Sequence, residues 1–478
     1  MRNTNIGYEI QVEGGIIRGS RCGDPQMVVF RGIPYAAPPV GELRFMEPQP
    51  VKKWDGILDC TAFRPTAVMP DMKDSFYQQE FHLYPMDASE DCLYLNIWTP
   101  AKTSKDKLPV MFWIHGGGNF QGYSHEMEFD GETLCKRDVI LVTIGYRLSV
   151  LGFLAHPELS ERNPHRVSGQ LGLLDQMAAL EWVRRNIAAF GGDPECITIF
   201  GQSAGGGDTL AFLASPMARG KFQRAIVMSG FFFTEGWQAK PIHQAEAHGK
   251  RICEELGLSV QDLLTMDAQK LTDRFYFDEN GNRANTGFNS MGYIDDQYFL
   301  NKLPAAALMS GDVNPVPLMI GTVFGDANLF RWDGAEPKVG ETVGYSVAAA
   351  EARLCSGLTP AYTYCFDRNL PGNEECPPNH AYHSSDLWYV FGTLGRSRRP
   401  MTGRDFDLAN EVMDYWTNFA KMGNPNGGNR PQWNAYTKET PHVMVFGDER
   451  SELIDFSEDL RCEENRKKAW DSYRNALK

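Results

Sequence analysis

No apolar run in this chain approaches the roughly 18 residues that a membrane-spanning helix needs, so membrane insertion is not expected. Residues 1–9 lack the apolar core of a secretory signal, which points to the cytoplasm. Clusters of Lys and Arg are missing too, and the net charge is −14. That balance argues against nucleic acid or an anionic membrane surface as a partner. The ten cysteines are scattered, with no pair at C-x-x-C spacing. Neither a zinc site nor a thioredoxin-like redox role is therefore expected, and the thiols should be reduced. Nothing in the sequence calls for a metal or a cofactor. Internal repeats, low-complexity tracts and flexible linkers are equally absent, so residues 1–478 read as one domain despite their length.

What the chain does contain is enough apolar material for a large core, 42% hydrophobic residues with 12% aromatics. Residues 10–13 and 15–19 flank a glycine turn and read as a hairpin. The Pro/Gly density of residues 30–45 forbids regular structure and predicts an ordered surface loop. Residues 66–89, polar and aromatic with Met and Pro, read as a long loop or lid. Apolar β-rich runs recur at 108–114, 139–144 and 197–200, then at 225–228, 317–320, 362–366 and 442–446. The first three are continuous rather than alternating, which predicts a sheet covered on both faces. The clearest helix spans about 173–189, with Leu173, Met177, Leu180, Val183 and Ile187 on one stripe and Gly191-Gly192 as its stop. Strands and helices alternate to the end, so the class is α/β.

The chain is organised around Gly201-Gln202-Ser203-Ala204-Gly205-Gly206. A strand-like run precedes it and a helix-like run follows, which is the context a nucleophile elbow requires. The pentapeptide alone is weak, so that context carries it. A serine hydroxyl barely ionises near neutrality and needs a base, and the tetrahedral intermediate needs donors for its oxyanion. The run Trp113-Ile114-His115-Gly116-Gly117-Gly118-Asn119 ends a predicted strand with three glycines, whose N–H groups can turn together toward one oxygen. Gly117, Gly118 and Ala204 are the expected donors. His115, three residues from them, reads as a structural histidine rather than the base.

With these motifs the chain resembles the type-B carboxylesterase/lipase family, which includes bacterial para-nitrobenzyl esterases and the cholinesterases. The match runs in order from about residue 30 to residue 447. It includes residues 30–45, Ser89-Glu90-Asp91-Cys92-Leu93-Tyr94-Leu95-Asn96-Ile97, the triple glycine, Gly145-Tyr146-Arg147-Leu148, Gly172-Leu173-Leu174-Asp175-Gln176, Phe190-Gly191-Gly192-Asp193-Pro194 and the elbow. Residues 419–426 resemble the end of the family's C-terminal helix. The resemblance implies an α/β-hydrolase fold: a large, mostly parallel sheet with helices on both faces, a small N-terminal β-hairpin sheet and lid excursions. It also implies the order serine, acid, histidine. Residues 318–328 resemble the strand-end motif that supplies the acid, which makes Asp326 the candidate where the family usually carries Glu. Asp295 and Asp333 are weaker rivals, since neither follows a strand end. His383 resembles the catalytic histidine, ahead of a polar pair and an aromatic Val-Phe-Gly ending, whereas His380 suits a solvent-facing loop. Arg44 and Glu90 are implied to pair across two loops. Cys92 usually closes a disulfide around the lid, but no cysteine lies between residues 61 and 91 to receive it.

The expected activity is hydrolysis of small to medium, neutral and largely apolar carboxylic esters through an acyl-enzyme, with a small-molecule ester as the partner. Activity should rise as the histidine deprotonates, through about pH 6–7. Gln202 stands where cholinesterases carry Glu, and residues 60–91 hold no Trp to stack on a quaternary ammonium, so a choline ester is disfavoured. The short span between Asp326 and His383 suggests a wide gorge. Tyr123, Phe231, Phe330 and Trp388, with Phe232 and Phe233, are candidates to line the pocket; ordinary core packing is the alternative for each. Two other readings remain open: a non-catalytic binding or adhesion relative, and an amidase or thioesterase with the same parts.

Overall fold

Near the N-terminus, β1 (Glu9–Val12) and β2 (Gly15–Arg18) form the expected hairpin, and β5 (Ile57–Asp59) runs beside β2 in a small sheet. The main sheet takes β3 (Ser20–Arg21), β4 (Val28–Pro34), β6 (Tyr94–Thr99), β7 (Leu108–Ile114), β8 (Ile140–Ile144) and β9 (Gly192–Gln202). It continues with β10 (Arg224–Met228), β13 (Leu318–Val323), β14 (Tyr362–Asp367), β15 (His442–Gly447) and β16 (Ser451–Asp455), while β11 (Lys240–Pro241) and β12 (Ile294–Asp295) pair separately. This computed structural model describes residues 6–71, 76–81, 87–230, 240–288, 290, 292–326, 342–374, 376 and 380–476.

The strand order across the main sheet is β16-β15-β14-β13-β10-β9-β7-β8-β6-β4-β3. Every neighbouring pair from β15 to β8 is parallel, and antiparallel strands close both edges. Parallel strands need crossover connections, which lay helices on both faces and bury both rows of side chains. Hence β8 and β13 are buried at every residue, and their sequences run apolar without alternation. The α/β-hydrolase architecture follows from this order.

Three expectations change. Residues 30–45 are not a surface loop from their start: Val28–Pro34 forms the largely buried strand β4, paired antiparallel with β6. The helix at Leu171–Asn186 is not a one-stripe surface helix: Leu171, Leu174, Gln176, Trp182 and Asn186 are buried along with the expected stripe. It is enclosed by the core, and a 3₁₀ turn carries the chain on to Gly191. Residues 66–89 are not loop throughout, because they contain a short helix at Phe76–Phe81. A six-residue helix is marginal in isolation. Here the Glu80 carboxylate accepts from Arg399 Nε and Nη2 at 2.6 and 2.9 Å and from the Tyr382 hydroxyl, while the Tyr77 hydroxyl donates to Glu126 Oε2 at 2.6 Å. Residues 72–75 and 82–86 of that stretch lie outside the described residues. Cys92 carries a free, buried thiol, and the implied Arg44–Glu90 ion pair is present, with Arg44 Nε donating to Glu90 Oε1 at 2.6 Å.

The registers bring four strand ends to one edge. Ile114 of β7 lies beside Gly201 of β9, Gln202 beside Met228 of β10, and Met228 beside Gly321 of β13. Loops at the carboxyl edge of a parallel sheet are where such folds place ligands.

Candidate active site

Ser203 follows β9 directly, with φ 57° and ψ −125°, a backbone conformation that is costly for any residue with a side chain. The surroundings fix it. Ser203 N–H donates to Met228 O at 2.9 Å, and Gly207 N–H donates to Ser203 O at 2.9 Å. The flanking glycines are required by space: a Cβ on Gly201 would fall 2.2 Å from Gly205 O, and one on Gly205 would fall 2.1 Å from Ile114 O. Strand and following helix (Ala204–Ala214) can come this close only without those side chains.

The triple glycine lies against the elbow. A Cβ on Gly116 would sit 3.0 Å from Ser203 Cβ. His115 Nδ1 donates to Gly116 O at 2.9 Å, and Gly117 O accepts from Phe120 N–H and Gln121 N–H at 3.1 and 3.0 Å. Across a trans peptide the next N–H points opposite to the carbonyl. Occupying the Gly116 and Gly117 carbonyls therefore directs the N–H groups of Gly117 and Gly118 the other way. Among the described residues, neither these two nor Ala204 N–H has a backbone acceptor. Burial pushes His115 down to about 4, and its ring stacks on Tyr146, so it is a neutral structural histidine as expected.

The acid and the histidine meet. His383 Nδ1 contacts Asp326 Oδ1, and both residues are 7% exposed. Asp326 sits three residues beyond β13. Its loop is stitched to the His383 loop by Gly325 N–H donating to Ala381 O at 2.8 Å and a Gly325–Tyr382 bridge. Thr322 Oγ1 donates to Asp326 Oδ2 at 2.6 Å, and Thr342 Oγ1 lies 2.7 Å behind Thr322 Oγ1. A carboxylate can only accept, so His383 carries its proton on Nδ1 and leaves Nε2 as an acceptor. Gln202 Nε2, 3.3 Å away, faces that lone pair. Asp386, three residues on, is fully buried; burial first, then the charge of Asp326, pushes its carboxyl up to about 7.

His380 is exposed and bonds Asn369 Oδ1 at 2.7 Å, away from Asp326. Asp295 accepts from Gln297, and Asp333 lies outside the described residues. Among the pocket candidates, Trp388 is fully buried and stacks on Phe81 with ring centroids 5.4 Å apart. It belongs to the buried cluster beneath the Phe76–Phe81 helix, in line with the core-packing alternative. Tyr123 is buried beside His125, its N–H donating to Glu126 Oε1 at 2.9 Å. Phe231, Phe330, Phe232 and Phe233 lie outside the described residues. The sequence reading missed Thr322, Thr342 and the Gln202 contact.

A model of the carboxylesterase family matches residues 7–342 and 340–467. The para-nitrobenzyl esterase of Bacillus subtilis is 34% identical over 466 residues, covering 88% of this chain and 91% of that protein. The fumonisin B1 esterase of Sphingopyxis macrogoltabida is 33% identical over 488 residues, covering 91% and 85%. A solved para-nitrobenzyl esterase structure superposes with a TM-score of 0.78 at 30% identity, covering 96% of this chain and 99% of that one. A carboxylesterase structure from Geobacillus stearothermophilus gives 0.76 at 32%, covering 97% and 100%.

Proposed function

Because the chain belongs to the carboxylesterase family and is a carboxylic ester hydrolase, we propose that it works by acyl-enzyme chemistry on Ser203. The observation that carries the reading is the His383–Asp326 contact, formed at the same sheet edge as the strained Ser203 elbow. His383 Nε2 takes the Ser203 proton as Oγ attacks the ester carbonyl. Asp326 holds the ring in the required tautomer and stabilises the imidazolium that forms. The N–H groups of Gly117, Gly118 and Ala204 receive the oxyanion. His383 then protonates the departing alcohol, and water repeats the sequence to release the acid. Gln202 must yield Nε2 as the substrate arrives.

The uncharged Gln202 beside the base supports neutral esters over cationic ones. Scattered cysteines with no C-x-x-C pair fit the reducing cytoplasm. Ser203 on its elbow and the Asp326–His383 contact disfavour a non-catalytic adhesive role. Substitution S203A tests the reading: para-nitrophenyl butyrate hydrolysis should fall by about 10⁴-fold or more with the melting temperature preserved. A fluorophosphonate probe should label the parent protein and not the variant. Retained turnover in S203A would sink the proposal.

A further inference from the structure

Asp208 lies five residues past Ser203, in the helix Ala204–Ala214, and is completely buried. Among the described residues its contacts include no cation. Its carboxylate is held by three neutral donors instead: Asn119 Nδ2 at 3.1 Å and the Tyr293 hydroxyl at 3.0 Å on Oδ1, and Gln176 Nε2 at 2.6 Å on Oδ2. A buried carboxylate without a cation is expensive, so its presence beside the elbow asks for a reason.

The reason lies in what Asn119 does. This residue closes the triple-glycine loop with φ 55°. Its backbone oxygen accepts from Ser149 N–H at 2.7 Å, and its side-chain oxygen accepts from the Tyr146 hydroxyl at 3.1 Å. Its side-chain amide nitrogen donates one N–H to Asp208. Asp208 therefore links the helix behind Ser203 to the end of the loop that lies against Ser203. We propose that Asp208 is a positioning residue for the oxyanion loop, acting through Asn119. The inference rests on the assignment of Gly117 and Gly118 as oxyanion donors.

The geometry separates contact from charge. Gln176 Oε1 has no hydrogen-bond partner among the described residues. In D208N the side-chain oxygen can still accept from Asn119 and Tyr293, and a flipped Gln176 can accept from the new amide. The contact survives while the charge is lost. In D208A the contact is lost as well. Loop displacement of about an ångström should lower kcat by roughly 10- to 100-fold with KM little changed.

The experiment compares D208A, D208N and N119G on para-nitrophenyl butyrate and with a trifluoromethyl ketone, whose hemiketal oxygen occupies the same place as the oxyanion. N119G keeps the left-handed backbone but deletes the amide, so it also serves if D208A does not fold. The expected result is a parallel fall in kcat and ketone affinity for D208A and N119G, no further fall in the double variant, and D208N within about threefold of the parent. Normal kcat and ketone affinity in folded N119G or D208A would overturn the proposal, as would a D208N as impaired as D208A. S203A keeps the two claims apart: if it is inactive while D208A and N119G are fully active, only the positioning role fails, whereas an active S203A removes the reading beneath it.

Discussion

The two halves of the candidate site are built by different physics. The Ser203 half is held by backbone against backbone: strand, turn and helix approach so closely that Gly201 and Gly205 have no room for a Cβ. The Asp326–His383 half is held by side chains reaching between loops, with Thr342, Thr322, Asp326 and His383 joined in sequence. Backbone contact tolerates almost no change of residue. A hydroxyl relay can lose one member and keep its geometry in part. Altering the closed glycines of the first half should therefore break the fold, whereas altering the side chains of the second should break catalysis.

The widest gap between the halves should appear with G205A. Its added methyl would fall 2.1 Å from Ile114 O and 2.6 Å from His115 O, both backbone atoms that cannot rotate away. We expect at least about 3 kcal/mol of destabilisation, read as a large drop in melting temperature or as loss of folded protein. A stable G205A would show that the elbow is not locked by steric closure.

A smaller effect within the Ser203 half comes from charge. Burial raises the Asp208 carboxyl to about 6, above its value in the unfolded chain. Between those two values the folded state binds more protons than the unfolded one, so stability falls as pH rises. The loss amounts to about 2–3 kcal/mol between pH 4 and pH 6 and persists above it. D208N lacks this titration, so its stability relative to the parent should grow by that amount over the same window in urea unfolding. Tyr146 and Tyr293, the titratable neighbours, are raised well above their usual range and stay neutral throughout. A flat difference curve would mean that the buried charge is not penalised.

The same division explains what could be read from the sequence. The parallel sheet was legible because continuous apolar runs have few other uses, and the strand limits agree within a few residues except at β9, which begins at Gly192. The elbow and triple glycine were legible because steric closure leaves only glycine. Asp326 and His383 were found through strand-end position and family resemblance, and their contact is a matter of tertiary geometry that spacing does not encode. Thr322 looks like any strand threonine, and Thr342 is 20 residues away, so nothing marked them as partners. The helix at Phe76–Phe81 was hidden because its anchors Arg399 and Tyr382 lie some three hundred positions distant in sequence. Asp208 did leave a signal, being the lone charge in the run Ala204–Ala214.

The smallest expected effect probes the relay itself. Thr322 has one hydroxyl proton, and the acceptor at 2.6 Å is Asp326 Oδ2; Thr342 must then be the donor to Thr322. T322V keeps the β-branched shape that suits β13 but removes the donor, so the strand should remain while Asp326 loses the bond on its outer oxygen. One charge-assisted hydrogen bond is about 1.5 kcal/mol, so kcat should fall by about tenfold with KM nearly unchanged. T342V acts one step further out and should lower kcat less than T322V does. Equal rates in T322V and the parent would mean that the His383 contact alone orients Asp326, and the side-chain half would then be as self-sufficient as the backbone half.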